Sequence, residues 1–323
     1  MAAFSDYSAM VADLKNPPSH ADAAWKHALE VYFPSFMQFF YPDIAAQIDW
    51  TVKPEMLDKE LRKLTHDGET GHRLVDKLIK VRLKNGQAHL LLLHVEVQGH
   101  YEADFPERLY LYHSRLYDRY RLPVLTLAIL ADDRPQWRPT EHVMQACGHC
   151  VVQFRFLMKK LLDYRTQVND LLTSSNPFGI VVAAQLAALE TRGDAQSRLQ
   201  QKSALTRVLY EQGLSKQDVL HLYYFLDGVM TLPEECEVRY NDYIHALEEE
   251  KAVAFITTAE KIGRKKGMQQ GLEQGMQQGL EQGQHGKALE IAHRMFKVGI
   301  SVEAIKTCTG LDDDDLSTLI SVH

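Results

Sequence analysis

Between residues 20 and 48, apolar and aromatic positions recur every three or four residues: Trp25, Ala28, Leu29 and Tyr32, then Phe36, Phe39, Phe40 and Ile44. Pro34 and Pro42 interrupt the stripe. A ring that fixes φ and carries no N–H breaks a helix, so the pattern predicts short helices joined at the prolines. Lys53 to Leu64 keeps the helical spacing through Met56, Leu57, Leu61 and Leu64, with Pro54 in a first turn and Glu60 away from the middle of the stripe. From Leu74 the period changes to two. Val75, Ile79, Val81 and Leu83 alternate with Asp76, Lys80 and Arg82 as far as Asn85-Gly86, a hairpin signal. Ala88 to Gln98 is too apolar for a strand with one wet face and reads as a central strand. Phe105 to Tyr120 returns to helical spacing, and Pro123 to Leu130 is another dense β-branched and leucine run. The order helix, strand, strand, helix, strand predicts a compact α/β unit with a mixed sheet flanked by helices.

Beyond about residue 150 the pattern is helical almost throughout, with punctuation at Asn176-Pro177, Gly193-Asp194, Gly213 and Leu232-Pro233. The expected divisions are a helical lead-in over 1–30, an α/β core over 31–145, a helical region over 146–260 and a tail over 261–323. The tail contains GMQQGLEQ twice in succession, which sets Gly267, Gly271, Gly275, Gly279 and Gly283 four apart. On a helix these form a stripe where another backbone can approach. Glycine costs a helix about 1 kcal/mol per position relative to alanine, so the segment either has a partner, its own copy among them, or serves as a tether. The last forty residues have the spacing of a helix-turn-helix, with turns at Gly299-Ile300-Ser301 and Gly310. Asp312 to Asp315 would be repelled by phosphates and suit a helix N-terminus better, which argues against DNA reading by this segment.

The hairpin register is fixed by its hydrophobic pattern. A three-residue turn, Asn85 to Gln87, places Asp76 opposite Glu96, Ile79 opposite Leu93 and Val81 opposite Leu91, which keeps one face apolar. A two-residue turn would place Asp76 opposite Val95 and mix charged with apolar positions. Two neighbouring carboxylates repel each other unless a cation compensates them. A hard divalent ion meets that need: Mg²⁺, with Mn²⁺ as a substitute, takes one or two carboxylates, waters and phosphate oxygens. Asp76 and Glu96 are the expected ligands, the Val97 carbonyl a further one, Gln98 a group that orients water, and Glu60 a third acid.

Asp76, the hairpin, Glu96-Val97-Gln98, Ala103 to Arg108, and Leu116 to Tyr120 leading into Leu122-Pro123-Val124 together resemble the PD-(D/E)XK nuclease core. More narrowly they resemble the Rpn family of recombination-promoting nucleases and transposase-like proteins, as do Leu57-Asp58-Lys59-Glu60-Leu61 and the glycine repeat. The resemblance covers roughly residues 36–140 well and the tail loosely. It implies a restriction-endonuclease-like core and a Mg²⁺-dependent DNA endonuclease acting in recombination or transposition. Asp76 and Glu96 would hold the metal that activates water against a phosphodiester. The wider superfamily usually has lysine where this chain has Gln98, which the Rpn-like branch typically shares. That leaves Lys77, Lys80 or Arg108 to supply a fixed positive charge. The rival reading is a degenerate nuclease fold that works as an interaction or regulatory protein through its tail.

Composition narrows the partners. With 45% hydrophobic and 24% charged residues the chain can bury a real core, and its formal net charge of -7 excludes a global field drawing it to a polyanion. Any DNA contact is therefore local. Lys53 to Lys84 holds nine Lys/Arg against six Asp/Glu, a patch suited to a phosphate backbone, and Arg108 and Arg115 on the following helix are further candidates. Cutting two strands suits a two-fold homodimer. The start lacks a basic segment followed by an apolar run, and no stretch is long enough for a bilayer, so no membrane partner and a cytoplasmic location are expected. His142, Cys147, His149 and Cys150 include half a zinc-knuckle spacing with no second pair, which reads as two buried thiols.

Overall fold

The computed structural model describes residues 20–58, 75–84, 90–251, 253, 287–296 and 299–311, with side chains at Val75 and Asp76 excepted. The chain divides into two compact units, residues 1–255 and 256–323. The first is α/β, a five-stranded mixed sheet flanked by helices and followed by a helical region. Helices α1 (His20–Val31), α2 (Phe33–Phe40) and α3 (Pro42–Ala45) break where the prolines require. Strands β1 (Glu55–Met56), β2 (Val75–Arg82) and β3 (Leu90–Gln98) follow. Helix α4 (Phe105–Tyr120) then leads to β4 (Val124–Leu130). Next come β5 (Glu141–Ala146), β6 (His149–Arg155) and β7 (Leu157–Lys160).

The sheet order is β1-β2-β3-β4-β7. β2 and β3 are antiparallel, while β3–β4 and β4–β7 are parallel, so β3 is flanked by strands on both sides as its apolar run requires. Asp76 lies opposite Glu96, Ile79 opposite Leu93 and Val81 opposite Leu91, the register the alternation predicts. Helix α4 starts with Pro106 and Glu107 in its first turn and stops at Arg121, which has a left-handed φ of 51°. Its stripe of Phe105, Leu109, Tyr112 and Leu116 is buried against one face of the sheet, beside Ala128 and Leu130 at one end and Leu78 and Leu92 at the other. The opposite face meets α1 at β2, and Phe36 and Phe40 of α2 stack edgewise on Phe178.

Three departures from the sequence reading have local causes. Residues 53–57 of the helix expected from Lys53 to Leu64 are not helical, because Glu55 and Met56 pair with Lys80 and Ile79 and the Leu57 N–H donates to the Leu78 carbonyl at 2.7 Å, while 59–64 lie outside the described residues. Pro54, which has no N–H to give, suits the start of such an edge strand. The chain past residue 145 is not helical at once. The expected boundary there falls inside the β5–β6 hairpin, and β7 adds the sheet's fifth strand. The hairpin turns on Cys147-Gly148, both at positive φ (51° and 78°), the two-residue geometry that matches strand twist. Both Cys147 and Cys150 are exposed there, not buried.

A 3-10 segment (Leu161–Gln167) leads into helices α5 (Val168–Thr173), α6 (Pro177–Glu190), α7 (Ala195–Glu211), α8 (Lys216–Val229) and α9 (Glu234–Lys251). α6 is buried all round from Phe178 to Ala188, as a helix without a polar face must be. In the second unit, α10 (287–296) and α11 (Val302–Thr309) flank a turn at Gly299, with Ala292, Ile305 and Leu311 as the core. Ser301 caps α11 by accepting from the Ala304 N–H. The glycine repeat and Asp312 to Asp315 lie outside the described residues, and among those described no helix is long and apolar enough to cross a membrane.

Candidate active site at the end of the hairpin strands

Strand β3 alternates, so His94, Glu96 and Gln98 share the face covered by α4, and all three are fully buried. Placing a carboxylate there follows from the register: the apolar pattern that holds Leu78 and Leu92 under α4 carries Glu96 in with them. The partner across β2 is Asp76, whose backbone position is described. On the other neighbour, β4 presents Thr126 beside His94 and Ala128 beside Glu96. Thr126 is the one polar residue of that strand, and its buried Oγ1 has no hydrogen-bond partner among the described residues.

Arg108, in the first turns of α4 and itself buried, reaches down to this row. Its Nη1 lies 3.2 Å from Glu96 Oε1, and its Nη2 donates to Gln98 Oε1 at 3.1 Å and pairs with Glu102 Oε2 at 2.7 Å. The other end of the Gln98 amide donates to the His100 carbonyl at 3.0 Å. Gln98 thus accepts from Arg108 at one end and donates at the other, and holds the guanidinium in place. Glu102 is also 3.3 Å from His100 Nε2. His94 Nε2 lies 3.9 Å from Glu96 Oε2, and the His94 ring stands edge-on to Tyr112 at 5.7 Å between centroids.

The remaining predicted residues are placed apart from this row. Lys77 faces the opposite side of the sheet, where it is buried in an ion pair with Asp58 and lies 3.6 Å from Glu30. Lys80 shares the Glu96 face but pairs with Glu55 on β1, roughly 13 Å along the strand from position 76. Arg115 is two turns further along α4 and partly buried. Val97 is buried with its side chain on the other face of the strand. Glu60 and the Asp76 side chain lie outside the described residues.

Neither oxygen of the fully buried Glu96 carboxylate accepts a hydrogen bond from a described residue, and the contact with Arg108 is ionic and poorly aligned. A desolvated carboxylate in that condition is costly unless further positive charge reaches it. Among the described residues, no three His, Cys, Asp or Glu side chains form a metal-holding group, so a ligand set depends on Asp76 or Glu60 joining Glu96. Sequence reasoning missed His100 and Glu102. Their only signal was polarity directly after the strand end, which any loop shares.

The α/β fold and this buried row of carboxylate, amide and guanidinium define a protein with a charged site at the end of a hairpin inside a mixed sheet. Residues 285–321 match the family model described as the Rpn/YhgA-like nuclease family, C-terminal helix-turn-helix (HTH) domain, which supports membership of the Rpn family. No curated protein and no solved structure matches the chain. The match falls on α10, the Gly299 turn and α11, the segment that the acidic run had argued against as a DNA reader.

Proposed function

We propose that this protein is a divalent-metal-dependent DNA endonuclease whose site is the Asp76–Glu96 row, with the HTH segment of the tail binding the substrate. The observation that carries the reading is the Glu96 carboxylate, fully buried, accepting no hydrogen bond from a described residue, and opposite Asp76 in register. Asp76, Glu96 and the Val97 carbonyl would hold Mg²⁺ or Mn²⁺. The ion would polarise phosphoryl oxygens and lower the pKa of water. The chain's own residues do the rest. Arg108 offsets negative charge beside Glu96, Gln98 and Glu102 fix the guanidinium, and α4 with His94 and Tyr112 keeps bulk water from the row. The nuclease-family description of the tail supports the same class of activity, and its HTH supports DNA as partner. A two-fold dimer would present two sites to two strands, and a role in recombination or transposition follows the family resemblance.

The test is nicking of supercoiled plasmid by purified protein with Mg²⁺, beside Asp76→Asn and Glu96→Gln. Either substitution is expected to lower the rate by at least about a hundredfold, the scale of removing one preorganised electrostatic group. Equal nicking by all three proteins would mean a contaminant and overturn the reading. One observation favours a second reading. Arg108 already lies 3.2 Å from Glu96, as in a nuclease fold whose carboxylate has been neutralised for good and whose tail does the work. On that reading wild type neither binds Mn²⁺ nor cuts, yet still binds DNA.

A further inference from the structure

Strands β3 and β4 run parallel and end side by side at Gln98 and Leu130, so the chain leaves both at one edge of the sheet. The two loops that follow, 99–104 and 131–140, are joined at their base, where the Ala131 N–H donates to the Gln98 carbonyl at 2.8 Å. Trp137 is their hub. Its ring stands edge-on to the buried Phe105 and to Tyr101, each at 5.5 Å between centroids, and the buried Lys160 ammonium lies 5.6 Å from its own centroid. Tyr101 is thereby held at the rim with 44% of its surface exposed, and the Arg134 guanidinium carbon sits 4.5 Å from its ring centroid. Asp132 fixes the start of that second loop, its carboxylate accepting from the Arg134 N–H at 2.8 Å. An aromatic ring ordered before any ligand arrives loses little entropy on binding one.

The charges around this rim cancel in pairs: Asp132 with Lys160, Asp133 with Arg192, Asp163 with Arg138 and Glu102 with Arg108. Arg134 has no acidic partner among the described residues, while Asp104 and Glu107 at the start of α4 are exposed. A rim of that balance is a poor clamp for phosphates, whose attraction grows with each cation placed beside them. What it offers is a flat, preordered π-surface backed by a guanidinium, the chemistry that takes a nucleobase. Bases of an intact duplex already stack on their neighbours, so only an unpaired one can use it.

We propose that Tyr101 and Arg134 form a stacking platform for an unpaired nucleobase, so that the substrate class is DNA holding unpaired nucleotides rather than a fully paired duplex. Tyr101 is five residues beyond Glu96 and at most about 18 Å from it along the chain, so a strand stacked there passes the Glu96 row within a few nucleotides. The choice of DNA rests on the nuclease reading above, and the platform rests on its own geometry. Tyr101 and Arg134 touch the base and not the reacting phosphate, which makes them binding residues.

The full chain is titrated in EDTA, by fluorescence anisotropy, with a duplex carrying a short central bubble and with the same duplex fully paired, and 2-aminopurine in the bubble reports stacking. Wild type is compared with Tyr101→Ala, Tyr101→Phe and Arg134→Ala, with thermal melting as a folding control. Wild type is expected to bind the bubble more tightly than the paired duplex and to quench the 2-aminopurine. Tyr101→Ala is expected to lose the quenching and about 5- to 150-fold in affinity for the bubble, the scale of one base–aromatic stack, with little change on the paired duplex. Tyr101→Phe keeps the ring and both properties, and Arg134→Ala loses several-fold. With Mg²⁺, KM for the bubble rises in Tyr101→Ala far more than kcat falls. Equal wild-type affinity for the two duplexes, no binding of either, or a folded Tyr101→Ala that binds the bubble and quenches like wild type overturns the inference. An RNA strand of the same unpaired sequence bound more tightly than its DNA counterpart assigns the platform to RNA and overturns it too. A wild type that stacks the base yet cuts neither duplex with Mg²⁺ overturns the nuclease reading and leaves the platform, whereas one that cuts both without stacking does the reverse.

Discussion

Buried charges in this protein come in pairs, and the pairs set its sensitivity to single substitutions. Asp132, just past β4, and Lys160, at the end of β7, are both essentially without solvent and form a salt bridge at 2.5 Å, with Lys160 also 5.6 Å from the Trp137 ring centroid. Removing one partner strands the other. Lys160→Met is expected to cost about 3–5 kcal/mol in urea unfolding, while Lys160→Met/Asp132→Leu recovers most of it. A double variant as unstable as the single would show that the pair is not the cause. His113 on α4 is a second case. Burial, and then the nearby His94, hold its imidazole below the ordinary 6.5. As pH falls through 6.5 the unfolded chain takes up a proton that the folded one refuses, so stability declines below that pH and is level above it. Urea midpoints of wild type are therefore expected to drop relative to His113→Leu between about pH 7.5 and about pH 5.5. Parallel curves would refute the assignment. At this scale the sequence shows Asp76, Glu96 and Gln98, because strand alternation and register are local rules. Arg108 could be named as a candidate but not as the group touching all of Glu96, Gln98 and Glu102, since a helix's rotation over a sheet is set by packing. Asp132 and Lys160, 28 residues apart in sequence, carry no mutual signal at all.

Elements were legible where a pattern repeats often enough to have a period. The 16 residues of α4 and the eight of β2 do. The four of β7, Leu-Met-Lys-Lys, do not, and only a place beside β4 makes them a strand. β6 alternates through Val152 and Phe154, yet its turn is Cys-Gly, which lacks the usual Asn-Gly signature, so a real hairpin was read as the start of a helical region. Close approach of helices is another property that composition hides. A Cβ on Gly179 of α6 would lie 2.3 Å from the Leu171 carbonyl oxygen of α5, and one on Gly228 of α8 would lie 2.6 Å from Ala24 Cβ and 2.8 Å from the His20 carbonyl oxygen of α1. In an open helix Gly→Ala gains up to about 1 kcal/mol. Here the clash reverses the sign, and Gly179→Ala and Gly228→Ala are each expected to lose about 1–3 kcal/mol in chemical unfolding. A stabilised variant at either position would mean that the helices can separate without cost.

On the scale of the whole molecule, a chain of net charge -7 would bind a polyanion, as the proposed function requires, only through a local surface. Non-specific attraction to DNA is a matter of local phosphate neutralisation, so the sign of a segment counts for more than the sign of the protein. Residues 256–323 carry eight Lys/Arg and nine Asp/Glu, and four of those acids are the run Asp312 to Asp315. Without that run the tail would be basic. The run lies within the matched HTH region, 285–321, so it would stand near phosphates if the tail docks on DNA as such domains do. It would then act as a brake on non-specific binding, leaving the segment dependent on contacts that require the right sequence or shape. Replacing all four aspartates with asparagine keeps side-chain size and hydrogen-bonding capacity while removing the repulsion. In fluorescence anisotropy with short duplexes, the variant of the full chain is expected to bind random sequence more tightly. The difference should shrink from about 50 to about 200 mM salt as screening and counterion competition rise. On the proposed nuclease reading the nicking rate at saturating DNA should not change, because the proposed site on β2 and β3 is untouched. Identical affinities at low salt would place this face of the tail away from DNA and leave its acids to a protein partner.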